Sequence, residues 1–420
     1  MPVTQASISA LTSASQAREG NDPIFRLNGE ARARAAAGES ILDATMGALM
    51  DDAGRIAVMP SVSEALARVP AGKAAGYSPI SGSPPFLEAV RKDLLGNSDL
   101  LQTSVAVTTP GGSGAIYQAI KNFVEPRHHA LTTDYCWGPY PVIAQHLERD
   151  VSTFPMFSPD LSFDLEAMKQ GMHQHINSQG RLLLILNFPC NNPTGYSLDS
   201  SEWLSIAEAV RSAGEKAPVA VLLDLAYHRF GGESADLWID ALPTMLETTT
   251  VLLAWTASKS FCQYGARIGS LVALHRDHEE RNKLANALGF TCRATWSNSN
   301  HLGQLAVTDL LVDPELSNRA DADRAELVEL LRTRVEAFNS AASAAGLHVP
   351  RYDGGFFVAV FTPDGEKTAA VMRDVGVYVV PLKGAVRVAL CATPETAIPR
   401  LVEALRAGID QAEAEHGRSA

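Results

Sequence analysis

Val251-Leu252-Leu253-Ala254-Trp255-Thr256-Ala257-Ser258-Lys259-Ser260-Phe261, with Arg267-Ile268-Gly269 closing it, is the stretch from which the rest of this sequence is read. An apolar run of strand length delivers a small-hydroxyl-lysine turn. Lys259 therefore stands at the mouth of a buried strand, with a hydroxyl beside it and an arginine just beyond. Desolvation and neighbouring cations lower a lysine pKa and free its amine to attack a carbonyl, so the pattern suits a Schiff-base lysine. Ser258 and Arg267 would hold a phosphate, one by hydroxyl donation and the other by a two-pronged charged hydrogen bond. A surface lysine following a strand reads the same on this segment alone, so its flanks have to decide.

Working outward, short apolar runs recur at Val105–Thr108, Ala130–Thr133, Arg181–Asn187, Val219–Asp224 and Ile268–Leu274. They are near-continuous and not alternating, as in strands of a sheet covered on both faces. Helical patterns at Ser113–Asn122, Gly138–His146, Ser201–Ser212 and Leu237–Leu246 fall between them. This alternation predicts a mostly parallel α/β sheet and not a barrel of eight repeats. Upstream, residues 1–22 read as a loose arm, Pro23–Gly38, Ser61–Val69 and Phe86–Leu95 as helices, and Gly76–Pro85 as a Pro/Gly-rich structured loop. Downstream, helical patterns cover Ala306–Leu311 and Leu316–Ala345. Short strands at Phe356–Val360, Val377–Val380 and Val386–Leu390, with helices at Lys367–Val375 and Thr396–Ala414, then form a distinct α+β cap.

At 420 residues the chain can bury a large core and divide into two or more domains. A formal charge of −12 argues against a nucleic-acid footprint or an anionic membrane surface. The cysteines, at 136, 190, 262, 292 and 391, are odd in number and form no CxxC, which fits a reducing compartment. The first sixteen residues have no basic segment followed by an apolar core, and no apolar run reaches the roughly 18 residues of a membrane span. A cytoplasmic protein is expected.

Five further motifs point toward the same kind of site. Thr109-Pro110-Gly111-Gly112-Ser113-Gly114 follows a strand and opens a helix, where glycines and free N–H groups admit an anion. It matches neither dinucleotide nor P-loop spacing, and a structural turn fits it equally. Asn191-Asn192-Pro193-Thr194-Gly195 is a turn that can aim the Asn192 side chain into a cleft at the strand ends. Asp224 closes a continuously apolar strand, so it is either a capping residue or a buried carboxylate with a cationic partner such as a protonated pyridine. Tyr227, three residues on, can reach the other side of that ring. Trp137, just after a strand, can stack on a planar ligand, although a single aromatic there fits the core as well. Arg387 inside Val386–Leu390 demands an anion, either a substrate carboxylate or a structural partner. His173 and His175 have no third ligand spaced with them and read as a solvated helix face.

In this order the motifs resemble the fold type I pyridoxal-phosphate enzymes, and within them the aspartate/aromatic branch of the class I aminotransferases. The resemblance runs from Asp22-Pro23-Ile24 to the C-terminal helix. It rests on Gly76–Gly82, TPGGSGA at Thr109–Ala115, NNPTG at Asn191–Gly195, DLAYHRF at Asp224–Phe230, SKSFCQYGARIG at Ser258–Gly269 and RATWSN at Arg293–Asn298. It implies a three-layer α/β fold with a large cofactor-binding domain over 50–313 and a small domain from 1–49 plus 314–420. It implies Lys259 as the Schiff-base lysine, Asp224 on the pyridinium nitrogen, Tyr227 and Asn192 on the phenolic oxygen, and Trp137 on the ring face. Gly112, Ser113, Thr256, Ser258 and Arg267 would bind the phosphate. Tyr77 would reach the phosphate of a neighbouring subunit, which makes the active unit a homodimer with shared sites. Arg387 would clamp the substrate α-carboxylate, Gly47 would lie in the lid over the substrate, and Arg293 from the other subunit would meet a side-chain carboxylate.

The implied activity is transfer of an amino group between an acidic or aromatic α-amino acid and a 2-oxo acid such as 2-oxoglutarate. Three segments depart from the branch's commoner pattern: RATWSN with Ser299-Asn300, Met46-Gly47-Ala48-Leu49 without a tyrosine after the glycine, and Pro84-Pro85 after Tyr77. They leave a lyase or cyclase with the same cofactor as the alternative. An aminotransferase-like transcription regulator would need a basic domain that residues 1–40 are too short to form.

Overall fold

The computed structural model describes residues 9–18, 20 and 23–419. The expected loose arm falls partly outside these residues; within them Ser13–Gln16 forms a single helical turn, capped by the Thr12 hydroxyl on the Ser15 N–H at 3.3 Å.

Seven strands form the central sheet: β1 Ser104–Pro110, β2 His129–Thr133, β3 Asp150–Phe154, β4 Leu182–Leu186, β5 Val219–Asp224, β6 Thr250–Thr256 and β7 Ile268–Leu274. Their spatial order is β1-β7-β6-β5-β4-β2-β3. Only β7 is antiparallel, to β1 on one side and β6 on the other. The mostly parallel sheet expected from the apolar runs is therefore present.

Continuous hydrophobicity follows from two covered faces. Leu182, Leu184, Leu186, Val221, Leu223 and Leu253 join one core with Trp203, Ile206 and Val210 of helix Ser200–Gly214. The alternate residues Leu183, Ile185, Leu222, Leu252 and Leu271 join a second core with Ala115, Ile116, Ala119 and Ile120 of helix Gly111–Phe123. Successive strand residues point to opposite faces, so each strand must be apolar throughout. A third core lies beneath the C-terminal segment. There β8 Phe357–Phe361, β9 Val380–Leu382 and β10 Ala385–Ala389 form an antiparallel sheet in the order β9-β10-β8, packed with the long helix Pro314–Ala344 and helix Ile398–Ser419.

Several elements differ from expectation. The pattern at Leu237–Leu246 is not one helix: a 3-10 segment, Leu237–Ala241, gives way to a short helix, Leu242–Met245. Pro243 is the cause, because its ring and missing N–H are tolerated only in a first helical turn. Strand β3, at the sheet edge, escaped the apolar criterion because Asp150-Val151-Ser152-Thr153 is only partly buried. Helices Leu165–Gln179 and His278–Ala294 also went unassigned. His173 does lie on a solvated helix face, but His175 is turned inward, with Nδ1 2.9 Å from Gln179 Nε2, and burial pushes its pKa down. Among the described residues no helix is long and apolar enough to cross a membrane, no cluster of His, Cys, Asp or Glu could hold a metal, and all five cysteines are free.

Candidate active site

The carboxyl ends of β4, β5 and β6 and the amino end of helix Gly111–Phe123 open onto one cleft. Its lining includes Gly112, Ser113, Trp137, Asn192, Asp224, Tyr227, Thr256, Ser258, Lys259 and Arg267. Ten side chains singled out in the sequence, spread over more than 150 residues, thus converge where an open α/β sheet places its ligands.

Lys259 reaches this cleft because β6 ends at Thr256 and the chain turns at once into helix Ala257–Ser260. The Thr256 hydroxyl caps that turn, accepting the Ser258 N–H at 3.2 Å. The Lys259 ammonium donates to the Gly47 carbonyl at 2.8 Å and lies 4.6 Å from the Tyr264 ring centre and 5.5 Å from those of Tyr227 and Phe356. Burial dominates its titration and pulls its pKa from 10.5 down to about 8. An amine in that range is available as a nucleophile and proton carrier near neutral pH.

Asp224, the last residue of β5, is buried and not a helix cap. Its Oδ2 accepts the Tyr140 hydroxyl at 2.7 Å, and its Oδ1 accepts the Ala226 N–H at 3.2 Å. Burial raises its pKa, while the Tyr140 and Ala226 donors and the Lys259 charge oppose that rise. The Asn187 amide bonds the Asp224 carbonyl at 2.9 Å and accepts the Asn192 N–H at 2.8 Å, which ties the turn after β4 to the end of β5.

Asn192 links two further side chains. Its Nδ2 donates to the Tyr227 hydroxyl at 3.4 Å, and its Oδ1 accepts from Arg387 Nη1 at 3.3 Å. The turn that presents it is held by the Asn191 side chain, which accepts the Thr194 N–H at 3.1 Å. Arg387, buried in β10, also donates to the Thr45 carbonyl at 2.7 Å and lies 4.3 Å above the Phe357 ring. Its guanidinium is thus tied from the small sheet to Asn192, a residue of the cleft lining.

The phosphate end is open. Arg267 is exposed, with Nη2 3.4 Å from Ser113 Oγ and Nη1 donating to the Tyr264 carbonyl at 2.8 Å. A Cβ on Gly111 would lie 2.7 Å from Arg267 Nη2, and one on Gly269 would lie 2.6 Å from the Gly111 carbonyl carbon. These glycines let the helix start and the guanidinium share one small space. With N–H groups of a 13-residue helix, two hydroxyls and an arginine converging, the donor set fits a phosphate monoester. A buried carboxylate, a lysine and an indole at the other end fit a pyridine aldehyde.

Two residues singled out in the sequence stand apart. Tyr77 is 91% exposed, and Arg293 is exposed with its guanidinium on Ser297 Oγ at 2.7 Å. Neither lines the cleft of its own chain. Gly47 lies beside the cleft through its carbonyl and is fixed there by Phe357, whose ring tip would lie 2.6 Å from an added Cβ. Sequence reading missed Tyr140, Asn187 and Tyr264. Asn187 could have been found as the polar end of an apolar strand, like Asp224, and Tyr264 lies inside the SKSFCQYGARIG segment. Tyr140 carries no local signal, because a tyrosine in a helical pattern reads as core.

An aminotransferase is the class of protein that this fold and this site define. The family described as "Aminotransferase class I and II" matches residues 40–405, and the chain belongs to it. The family's cofactor is pyridoxal 5'-phosphate. More particularly, the chain is 29% identical to the aromatic-amino-acid aminotransferase of Paracoccus denitrificans, over 91% of this chain and 96% of that protein. It is 26% identical to the aspartate aminotransferase of Pseudomonas aeruginosa, over 86% and 90%. Among solved structures, an aminotransferase from Anaerococcus prevotii matches it with a TM-score of 0.91 at 27% identity, covering 96% of this chain and all of that one.

Proposed function

We propose that this chain is a pyridoxal-phosphate-dependent aminotransferase that exchanges amino groups between acidic or aromatic α-amino acids and 2-oxo acids. The observation that carries the reading is that Lys259 and Asp224 line one cleft at strand ends of the large sheet, while Arg387 of the small sheet is bonded to Asn192 of the same lining. The names of the two relatives above, one an aromatic-amino-acid and the other an aspartate aminotransferase, support the two substrate classes.

Pyridoxal phosphate, when bound, supplies the electron sink that lets a substrate Cα–H bond break. The chain's residues then have these roles. Gly112, Ser113, Thr256, Ser258 and Arg267 would hold the phosphate. Trp137 would cover one ring face, while Asn192 and Tyr227 would bond the phenolic oxygen. Asp224 would pair with the ring nitrogen and keep it protonated. Arg387 would take the substrate α-carboxylate and so orient Cα for loss of its hydrogen and not of its carboxylate. The Lys259 amine moves the proton away from Cα.

The same reading makes the active unit a homodimer. Tyr77 and Arg293, both exposed and both outside their own cleft, would complete the neighbour's site, Tyr77 at the phosphate and Arg293 at a substrate side-chain carboxylate. It also takes the domain boundary at residues 49/50 and 313/314; the third core, drawn chiefly from 42–49 and residues after 330, supports a separate small domain, while Leu316 and Ala320 of the long helix pack in the first core. We assign the protein to the cytoplasm on its five free cysteines, of which all but the half-buried Cys136 are buried.

The test is a half-reaction. Given aspartate, glutamate, tyrosine or phenylalanine alone, loaded enzyme should release one 2-oxo acid per site and stop until a second 2-oxo acid is added. Continuous turnover without an acceptor would instead identify a lyase or cyclase.

A further inference from the structure

The Asp224 carboxylate is held by a side chain with no assigned role. Tyr140 begins helix Pro139–His146 just after Pro139, and its whole side chain is enclosed. Its ring meets the Trp137 indole edge-on, with centres 5.5 Å apart and planes at 82°. The helix packs on helix Gly111–Phe123, in the core that covers this face of the sheet. The hydroxyl so fixed stands 2.7 Å from Asp224 Oδ2. We propose that Tyr140 is a positioning residue, whose buried hydroxyl keeps the Asp224 carboxylate charged and aimed into the cleft, so that a pyridine nitrogen meets a weakly basic anion. This rests on the reading of Asp224 as that nitrogen's partner.

The physical case has two parts. A buried carboxyl prefers its neutral form, and a hydrogen bond donated to the charged form opposes that preference. The groups facing Asp224 are the Tyr140 hydroxyl, the Ala226 N–H, the Lys259 amine and the Tyr227 phenol, with Cys136 beyond Tyr140; Tyr140 makes the shortest contact. The phenol is also a dependable donor. Burial and the Asp224 charge raise its own pKa well above the ordinary value, so it keeps its proton throughout the working range. A carboxylate that loses such a donor becomes more basic and draws the proton off the ring nitrogen. A tyrosine that merely filled space would leave that proton where it was.

The experiment uses holoenzyme carrying ring-15N-labelled pyridoxal phosphate at one fixed pH, with cofactor affinity measured separately by fluorescence titration of the apoenzyme. Tyr140→Phe keeps the ring and removes the donor. Its 15N signal should move toward that of neutral pyridine, and its cofactor Kd should rise about fivefold, the usual effect of one net hydrogen bond. Replacing Tyr140 with 3-fluorotyrosine, nearly the same shape but a stronger donor, should move the signal the opposite way. Asp224→Asn separates the two readings. If Asp224→Asn shifts signal and affinity but Tyr140→Phe shifts neither, Tyr140 has no positioning role. If Asp224→Asn shifts neither, the Asp224 reading falls as well. Should Tyr140→Phe fail to fold, a native-like signal from the fluorotyrosine protein overturns the proposal by itself.

Discussion

Lys259 pays for its reactivity in stability. Its folded-state pKa of about 8 lies below the ordinary 10.5, so between those values the unfolded chain binds a proton that the folded chain does not. Stability of the cofactor-free protein should therefore rise as pH increases from about 8 to 10.5, by up to about 3 kcal/mol. Urea unfolding of native and Lys259→Met apoprotein across this range checks it: the difference between the two should carry the rise, and a flat difference would mean the amine is not desolvated. The two arginines divide along different lines. Arg387 would meet a carboxylate that every α-amino acid has, and Arg293 one that only dicarboxylates have. A charge-assisted hydrogen bond contributes about 1.5–3 kcal/mol, so Arg293→Leu should lower kcat/KM for aspartate and glutamate roughly tenfold to a hundredfold and spare aromatic donors. Arg387→Leu should lower kcat/KM for all of them. Equal losses for both substrate classes on Arg293→Leu would remove its side-chain role.

At the scale of elements, the site depends on how closely helix Gly111–Phe123 approaches β7. Thr109 pairs with Gly269 and Pro110 with Ile268, so β1 delivers the helix start directly beside the Arg267 turn. Arg267 holds a left-handed backbone, φ 54°, which turns its guanidinium back over that start. Gly269→Ala would place a methyl 2.6 Å from backbone that cannot move aside. We expect a loss of about 1–3 kcal/mol in unfolding free energy together with weaker cofactor binding, because the N–H groups and Arg267 would be forced apart. Gly72→Ala, in helix Ala71–Ala74 with open space around it, is the control: it should leave cofactor affinity unchanged and raise stability slightly, as Ala does for Gly in a helix. Unaltered cofactor affinity in Gly269→Ala would show that the close approach serves packing alone.

At the scale of the whole molecule, the chain's own cleft lacks two of the residues the functional reading requires. The loop bearing Tyr77 lies against helix His278–Ala294, whose last turn carries Arg293, and against the start of helix His301–Val312: a Cβ on Gly289 would lie 3.1 Å from Ser81 Oγ, and His301 Nδ1 sits 2.8 Å from the Gly76 carbonyl. Ile80 and Phe290 are exposed beside them, an apolar margin that a second copy would cover. Mixing inactive Lys259→Ala with Arg293→Ala and assaying a dicarboxylate should restore about a quarter of native activity, since half the dimers are hybrids and each hybrid has one intact site of two. No recovery, with subunit exchange verified, would mean that each chain builds its site alone.

What was legible in the sequence was whatever chemistry had to be written locally. Strands of a sheet covered on both faces are apolar throughout, so β4 to β7 stand out as continuous runs, and a polar residue closing such a run, Asp224 or Thr256, advertises a strand end that opens on a cleft. Lys259, Asn192 and Arg387 could be singled out because a charge or amide beside buried strands is costly unless used. What the tertiary structure alone decided were the relations between distant segments. The polar edge strand β3 is a strand only because β2 offers it an edge, and Pro243 divides one helical pattern into two. His175 is buried only because its helix is turned that way. Tyr140 reads as an ordinary core aromatic, and its hydroxyl acquires meaning when packing brings it to Asp224, 84 residues away. A hydrogen bond between segments so far apart leaves no periodicity or spacing to read, because its geometry comes from the packing of one helix on the sheet.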